Sequence, residues 1–299
     1  MAFGGPIAAA ILSRVGDARG IQAWRWLFII EGAASLFSGL LAFFLLPDFP
    51  SMRTGVARRL LRLTETEQRV AVERMAMDHV SQPAAKKGIM VGLKLAVRDL
   101  NTWLFSLMLL ASHSAYGFVF FFPTIVEGFH FGSTSRTLMM TAPPYLFATV
   151  ATLVTAHLSD KRRERAFYIW APQLFACIGF AISAVTLDGK ARYFAAFLYA
   201  AGCTSSNAPV VTWASGSLDQ SPEKRAAAIA IMSVIGQFGH IYSPYFFPEK
   251  DEPRYLMAFL IMMSFSVLSI VTYVVVRSRL KKANEGIQAS GNDMKLFTL

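Results

Sequence analysis

DFPSMRTGVARRLLRLTETEQRVAVERMAMDHVSQPAAKKGIMVGLKLAVRDL, residues 48–100, divides this chain. It is the one long polar segment, with ten Lys and Arg (Arg53, Arg58, Arg59, Arg62, Arg69, Arg74, Lys86, Lys87, Lys94, Arg98) against six Asp and Glu. Both of its flanks are apolar. Beyond it, residues 100–126, 137–159, 166–187, 193–218, 226–248 and 255–276 each run at least 22 residues without Lys, Arg, Asp or Glu. Before it, residues 26–47 form another such run, with Glu31 as the single charge, and residues 1–13 form a shorter one. About 20 apolar residues cross the hydrocarbon layer as a helix. The pattern predicts six spans after the divider, one before it, and a stub.

With 54% hydrophobic and 16% charged residues arranged in alternating blocks, the chain reads as an all-α polytopic membrane protein embedded in a lipid bilayer. Its net charge of +10 does not indicate nucleic acid, because the bases are spread over short loops between the apolar runs. The charge reads instead as topology. If the divider is cytoplasmic, so are the loops at 160–165 and 219–225 and the tail from Arg277. Those regions hold 21 of the 29 Lys and Arg. The positive-inside bias therefore places the divider and the C-terminus in the cytoplasm. Cys177 and Cys203 both fall in predicted spans, so no disulfide framework follows and packing is their expected role. The N-terminus lacks the basic n-region and cleavage site of a secretory signal. It reads like the interior of a membrane helix entered partway.

Taken in order, residues 3–12 make a stub of about 15 Å as a helix, half a membrane. Trp24-Arg25-Trp26 supplies interfacial aromatics ahead of the first full span. Within the divider, Thr64-Glu65-Thr66-Glu67 has the capping-box spacing, and Glu65 precedes Arg69 by four residues. A surface helix to about Asp78 follows. The divisions are then 1–47, 48–100 with its surface helix, a six-span block at 101–276, and a tail at 277–299. Pro and Gly punctuate the spans (Pro123, Pro143-Pro144, Pro172, Pro209, Pro244; Gly117, Gly202, Gly236, Gly239), which predicts kinks and close helix contacts.

Polar residues inside spans are the candidates for chemistry. Glu31 is an intramembrane carboxylate, readable as a proton carrier or as a structural partner near the interface. His113, Tyr116 and Asn207 lie mid-span, and Gln237 and His240 share one span; each lines a polar cavity or bonds between helices. Asp160, beside Lys161, Arg162, Arg163 and Arg165, sits in a short loop that forces two spans antiparallel. It is readable as a charge-assisted latch or as plain topology. The loop at 217–225 repeats the acidic-then-basic pattern. There is no G-x-S-x-G, H-E-x-x-H or Walker sequence and no histidine cluster with ligand spacing, so no enzyme, cofactor or metal is expected.

Several of these strings together carry a resemblance. Trp24-Arg25-Trp26-Leu27-Phe28-Ile29-Ile30-Glu31-Gly32 with Leu46-Pro47-Asp48-Phe49-Pro50 resembles the end of the first half of fungal anion:cation symporters of the major facilitator superfamily, in the allantoate and nicotinate permease branch. Phe122-Pro123-Thr124-Ile125-Val126, Thr141-Ala142-Pro143-Pro144-Tyr145, Lys224-Arg225-Ala226-Ala227-Ala228 and Pro253-Arg254-Tyr255 are similar to the same branch. The resemblance implies the major facilitator fold, here a complete C-terminal six-helix half preceded by the last one and a half helices of the N-terminal half. It also implies alternating access, a small organic anion such as a vitamin or ureido acid as cargo, protons as the coupling ion, and the plasma membrane as the default location with the vacuole as the alternative. The family's loop signature, Gly-x-x-x-Asp followed by bases, maps onto Ala156 and Asp160 to Arg165, with Ala156 and Arg163 standing at its glycine positions. On this register about four and a half helices are absent. The expectation is either a clipped gene or a natural fragment that does not transport alone and associates with intact transporters.

Overall fold

A computed structural model of the chain describes residues 7, 8, 10, 11, 20, 22–45, 64–77, 88–129, 134–162, 165, 167–218 and 221–289. Most of the stub, the segment 78–87, Arg163 and the last ten residues lie outside the described residues. Described secondary structure is helical, and it falls into two units, one of Ile7–Lys87 and one of Gly88–Leu299 with Met1–Pro6.

In the first unit, α1 (Ala23–Leu45) is apolar around its whole circumference, with Phe28, Leu36, Phe37 and Phe43 exposed, as a helix solvated by lipid must be. Glu31 is exposed on it. The polar helix α2 (Glu65–Met77) starts where the capping-box spacing places it. The Thr64 backbone N–H donates to Glu67 Oε2 at 2.8 Å, and the Thr64 hydroxyl donates to the same oxygen at 2.8 Å. These two bonds, to the backbone first and the hydroxyl second, hold the Glu67 carboxyl below its usual range. A depressed carboxyl stabilises α2 fully above its unfolded value of 4.5, and that contribution is lost as pH falls through the lower folded value. Amides of the first turn of α2 are therefore expected to lose hydrogen-exchange protection on acidification below about pH 4.5. The Glu67→Gln variant should lack that pH step.

The second unit holds α3 (Ile89–Arg98), α4 (Leu100–Ala115), α5 (Phe122–Glu127), α6 (Thr134–Met140), α7 (Ala142–Arg162), α8 (Phe167–Val185), α9 (Gly189–Ser217), α10 (Pro222–Tyr242) and α11 (Leu256–Ala289). Three of the long helices open on side-chain caps. Asp99 accepts from Asn101 N–H at 2.9 Å, Asp188 from Ala191 N–H at 3.0 Å and Ser221 from Lys224 N–H at 3.2 Å. α4 packs on α9, α10 and α11, α8 on α9 and α11, α7 on α9, and α3 on α10. One buried cluster gathers Phe118, Phe180, Tyr199 and Phe259. A second is built on Phe105, Trp213 and Tyr273, with the first two rings edge to face at 5.2 Å. Outward-facing Val150, Phe175, Phe194 and Val271 are exposed, as side chains against lipid should be.

One expectation needs correction. The prolines at 123, 143–144 and 244 do not kink long helices; they start new ones. The run at 100–126 breaks at a 3-10 turn, Tyr116–Phe120, before α5, and the run at 137–159 divides into α6 and α7 around Thr141. A proline has no N–H to give an upstream carbonyl, so it is accommodated in a first turn; Pro172 and Pro209 are the ones inside helices. Six helices among the described residues are long and apolar enough to cross a membrane: α1, the α4, α6–α7, α8 and α10 segments, and α11. α9, at 29 residues, is long enough but is diluted by Thr204-Ser205-Ser206-Asn207. It packs against α4, α7 and α8, so its polar side chains meet protein in place of lipid.

Candidate functional site

The C-terminal ends of α4 and α10 meet through glycine. A Cβ on Gly239 would lie 2.9 Å from Ser114 N and 3.1 Å from His113 Cβ, so only a bare backbone permits this approach. The contact brings His113 and His240, each in the last turn of its helix, into a stack with ring centroids 4.7 Å apart and planes 23° apart. Nδ1 of each ring is buried, and among the described residues neither makes a hydrogen bond of good geometry. Tyr116 and Phe120 stand edge-on to His240 at 6.2 and 5.7 Å. Ser114 bridges the same two helices, its hydroxyl lying 2.5 Å from the Tyr242 hydroxyl.

Tyr116 also borders a cleft of about 270 Å³ between α7 and α9, lined by Tyr145, Ala148, Thr149, Thr152, Leu153 and Thr204. Thr149, Thr152 and Thr204 donate their hydroxyl hydrogens to helix carbonyls one turn back, each at 2.8 Å, and so turn lone pairs to the cleft. Thr152 and Thr204 meet at 3.3 Å across the helix boundary. The Tyr145 hydroxyl is buried and makes no hydrogen bond among the described residues, which leaves an O–H donor for a guest. Among the described residues, no Lys, Arg, Asp or Glu lines the cleft.

The sequence candidates are thus partly gathered. His113, Tyr116 and His240 come together, and Asn207 lies one turn beyond Thr204 on α9, with its carbonyl oxygen buried and without a hydrogen bond. Gln237 is exposed on α10 one turn before His240, and Glu31 lies in α1. Asp160 pairs with Arg165 at 3.9 Å beside a small cleft of about 80 Å³, opposite Ala208, Pro209 and Thr212 of α9. Lys161 and Arg162 are exposed at the end of α7.

Other polar groups escape a reading by residue type. Tyr145, Thr149, Thr152 and Thr204 are common membrane-helix residues, and their convergence needs the α7–α9 packing. Gln173 of α8, fully buried, donates to Ser112 of α4 at 3.1 Å, and Ser112 meets Ser269 of α11 at 3.1 Å. Arg192, which borders an uncharged run, and Lys224, one residue before the Arg225 that borders another, lie inside the first turns of α9 and α10, each 3% exposed. Lys224 pairs with Asp99 at 2.5 Å, while Arg192 donates to the carbonyls of Pro253 and Arg254 at 2.8 and 2.9 Å.

Comparison with known proteins matches residues 1–244 to the family model of the Major Facilitator Superfamily. The MFS-type transporter cnsO of Penicillium expansum is 32% identical over 80% of this chain and 46% of its own length. The high-affinity nicotinic acid transporter of Saccharomyces cerevisiae is 27% identical over 95% of this chain and 51% of its own length. A putative tartrate transporter of Agrobacterium vitis is 27% identical over 81% of this chain and 51% of its own length. The chain spans about half the length of the curated relatives it matches.

Proposed function

The chain belongs to the major facilitator superfamily, whose named relatives here are transporters rather than enzymes, and from that premise we propose that it serves proton-coupled uptake of a small organic anion. The carrying observation is the cleft between α7 and α9. Three threonine hydroxyls and the Tyr145 O–H donor stand on an otherwise largely apolar wall, and no fixed cation is among its described lining residues. A carboxylate entering such a site without a counter-charge bears a large desolvation cost. A proton taken up with it cancels that charge, so symport suits this lining better than uniport. Relatives named for nicotinic acid and tartrate support a carboxylate as cargo.

In this reading residues 1–47 end the first helical half, 101–276 form the second, and 48–100 join them in the cytoplasm. The tail from 277 is cytoplasmic too, as the basic loops favour, and the plasma membrane is the location. Asp160 and Arg165 act as a latch at the cytoplasmic end of α7. Proteoliposomes carrying the chain are expected to accumulate radiolabelled nicotinate or tartrate under an inward acid gradient. A protonophore should abolish that accumulation, and uptake indifferent to one would refute the coupling. Because the chain covers half of its relatives' length, a second reading is association with an intact transporter. Absent uptake together with co-purification of a longer homologue would establish it.

A further inference from the structure

We propose that the stacked pair His113–His240 is a proton-binding site that accepts one proton and excludes a second. An imidazolium over a neutral imidazole is a favourable face-to-face contact, since the π-system of one ring stabilises the charge on the other. Two imidazoliums with centroids 4.7 Å apart repel one another in surroundings that screen poorly. The rings cannot drift apart to relieve that repulsion while α4 and α10 stay packed. Gly239 holds the helices at backbone contact, Gly236 leaves room for Leu109 and the ring itself, a Cβ on it falling 3.2 Å from His113 Nδ1, and Tyr116 and Phe120 close around His240.

Among the described residues, no other charge on the packed elements intervenes. The titratable neighbours are Tyr116, edge-on to His240, and Tyr242, which reaches Ser114 next to His113. Charged residues of these helices sit at helix ends. Asp99 caps α4 fourteen residues from His113, about 21 Å of helix. Glu223, Lys224 and Arg225 open α10, Lys94 and Arg98 are on α3, Arg192 is in the first turn of α9, and Arg277 and the bases after it are on the last turns of α11. At the other end, Glu127 closes α5 and Glu249 follows α10; among the described residues neither forms an ion pair with a histidine. The pair therefore titrates as one coupled unit. Its place beside Tyr116, which borders the cleft, suits the proton of the symport reading above, on which this role, though not the proton count, rests.

The test is a proton count on the full chain. With ring-15N-labelled histidine in lipid nanodiscs, the five histidines are followed by NMR between about pH 8 and 5. His113Gln, His240Gln and the double variant assign the two signals. The wild type is expected to take up one proton more than the double variant, shared so that neither ring shift is complete. Each single variant is also expected to take up one more than the double. If a variant fails to fold, the wild-type spectrum decides: two incomplete shifts summing to one proton support the site. Two complete shifts, or none, overturn it. A one-proton titration with no proton-driven uptake would leave the site standing and sink the transport reading; uptake with two independent titrations would do the reverse.

Discussion

Adding one methyl group at Gly202 is expected to destabilise the helical bundle by about 2 kcal/mol, the net of two opposing effects. A Cβ there would meet the carbonyl oxygen of Pro172 and lie 2.7 Å from Ala176 N and 2.8 Å from Ala176 Cβ. Two of those three atoms are backbone, on a helix that already carries a proline, so no flexible side chain can yield. Overpacking of this kind costs about 1–3 kcal/mol, and somewhat more where the backbone itself must move. The gain in helix propensity from Gly to Ala returns at most about 1 kcal/mol. α8 and α9 then separate along their length, because Gly179 meets α9 just as closely: a Cβ on it would sit 2.8 Å from Ala195 O. Gly286→Ala on α11 is the control. Nothing lies within 4 Å of its Cβ position, so propensity acts alone and that variant should be as stable as the parent or slightly more so. Denaturant titration in detergent micelles reads both. Equal stability of Gly202→Ala and the parent would contradict the tight α8–α9 contact.

Replacing Lys224 by methionine is expected to cost about 3 kcal/mol, and most of that is the stranded partner. Asp99 has two duties. One carboxylate oxygen caps α4 through Asn101 N–H, and the other takes the ammonium of Lys224, whose side chain is 3% exposed. Without the lysine, a carboxylate 19% exposed keeps the cap but loses its counter-charge. That residual exposure holds the expected cost at the low end of the roughly 3–5 kcal/mol for breaking a buried pair. Asp99→Asn keeps a good capping side chain while removing the charge beside Lys224. The double variant Asp99→Asn/Lys224→Met should therefore be more stable than the sum of the singles predicts, by at least about 1 kcal/mol. Strict additivity would show that the pair contributes nothing. The contact also seats α3: a Cβ on Gly92 would lie 2.6 Å from Glu223 Cβ, one residue from the lysine.

Local readings of the chain succeeded where the physics is local. Thr64 and Glu67 are three residues apart and close the start of α2 as their spacing implies. The apolar runs became helices because a span must satisfy its backbone within itself. Run ends were a poorer guide to helix ends. Arg192 and Arg225 stop an uncharged run, yet each helix extends back over its charge, and in α10 over Lys224 as well, to a capping Asp188 or Ser221, and α11 continues through Arg277, Arg279, Lys281 and Lys282 to Ala289. Long Lys and Arg stems permit this, since their charged ends find carbonyls or carboxylates.

His113, Tyr116, Asn207, Gln237 and His240 stand out by residue type alone, as imidazole, phenol and amide groups inside spans. Type could not separate Gln237, left exposed, from His240, stacked on His113. By itself the sequence determined the family and the helical membrane architecture and picked out polar residues inside the spans, because composition and run length are properties of single segments. Only the tertiary structure decided which of those residues meet. Thr152 and Thr204 lie 52 residues apart and Asp99 and Lys224 lie 125 apart. Such pairs form only through helix faces set by bare-backbone contacts at Gly92, Gly202 and Gly239, and no spacing within one segment encodes that approach.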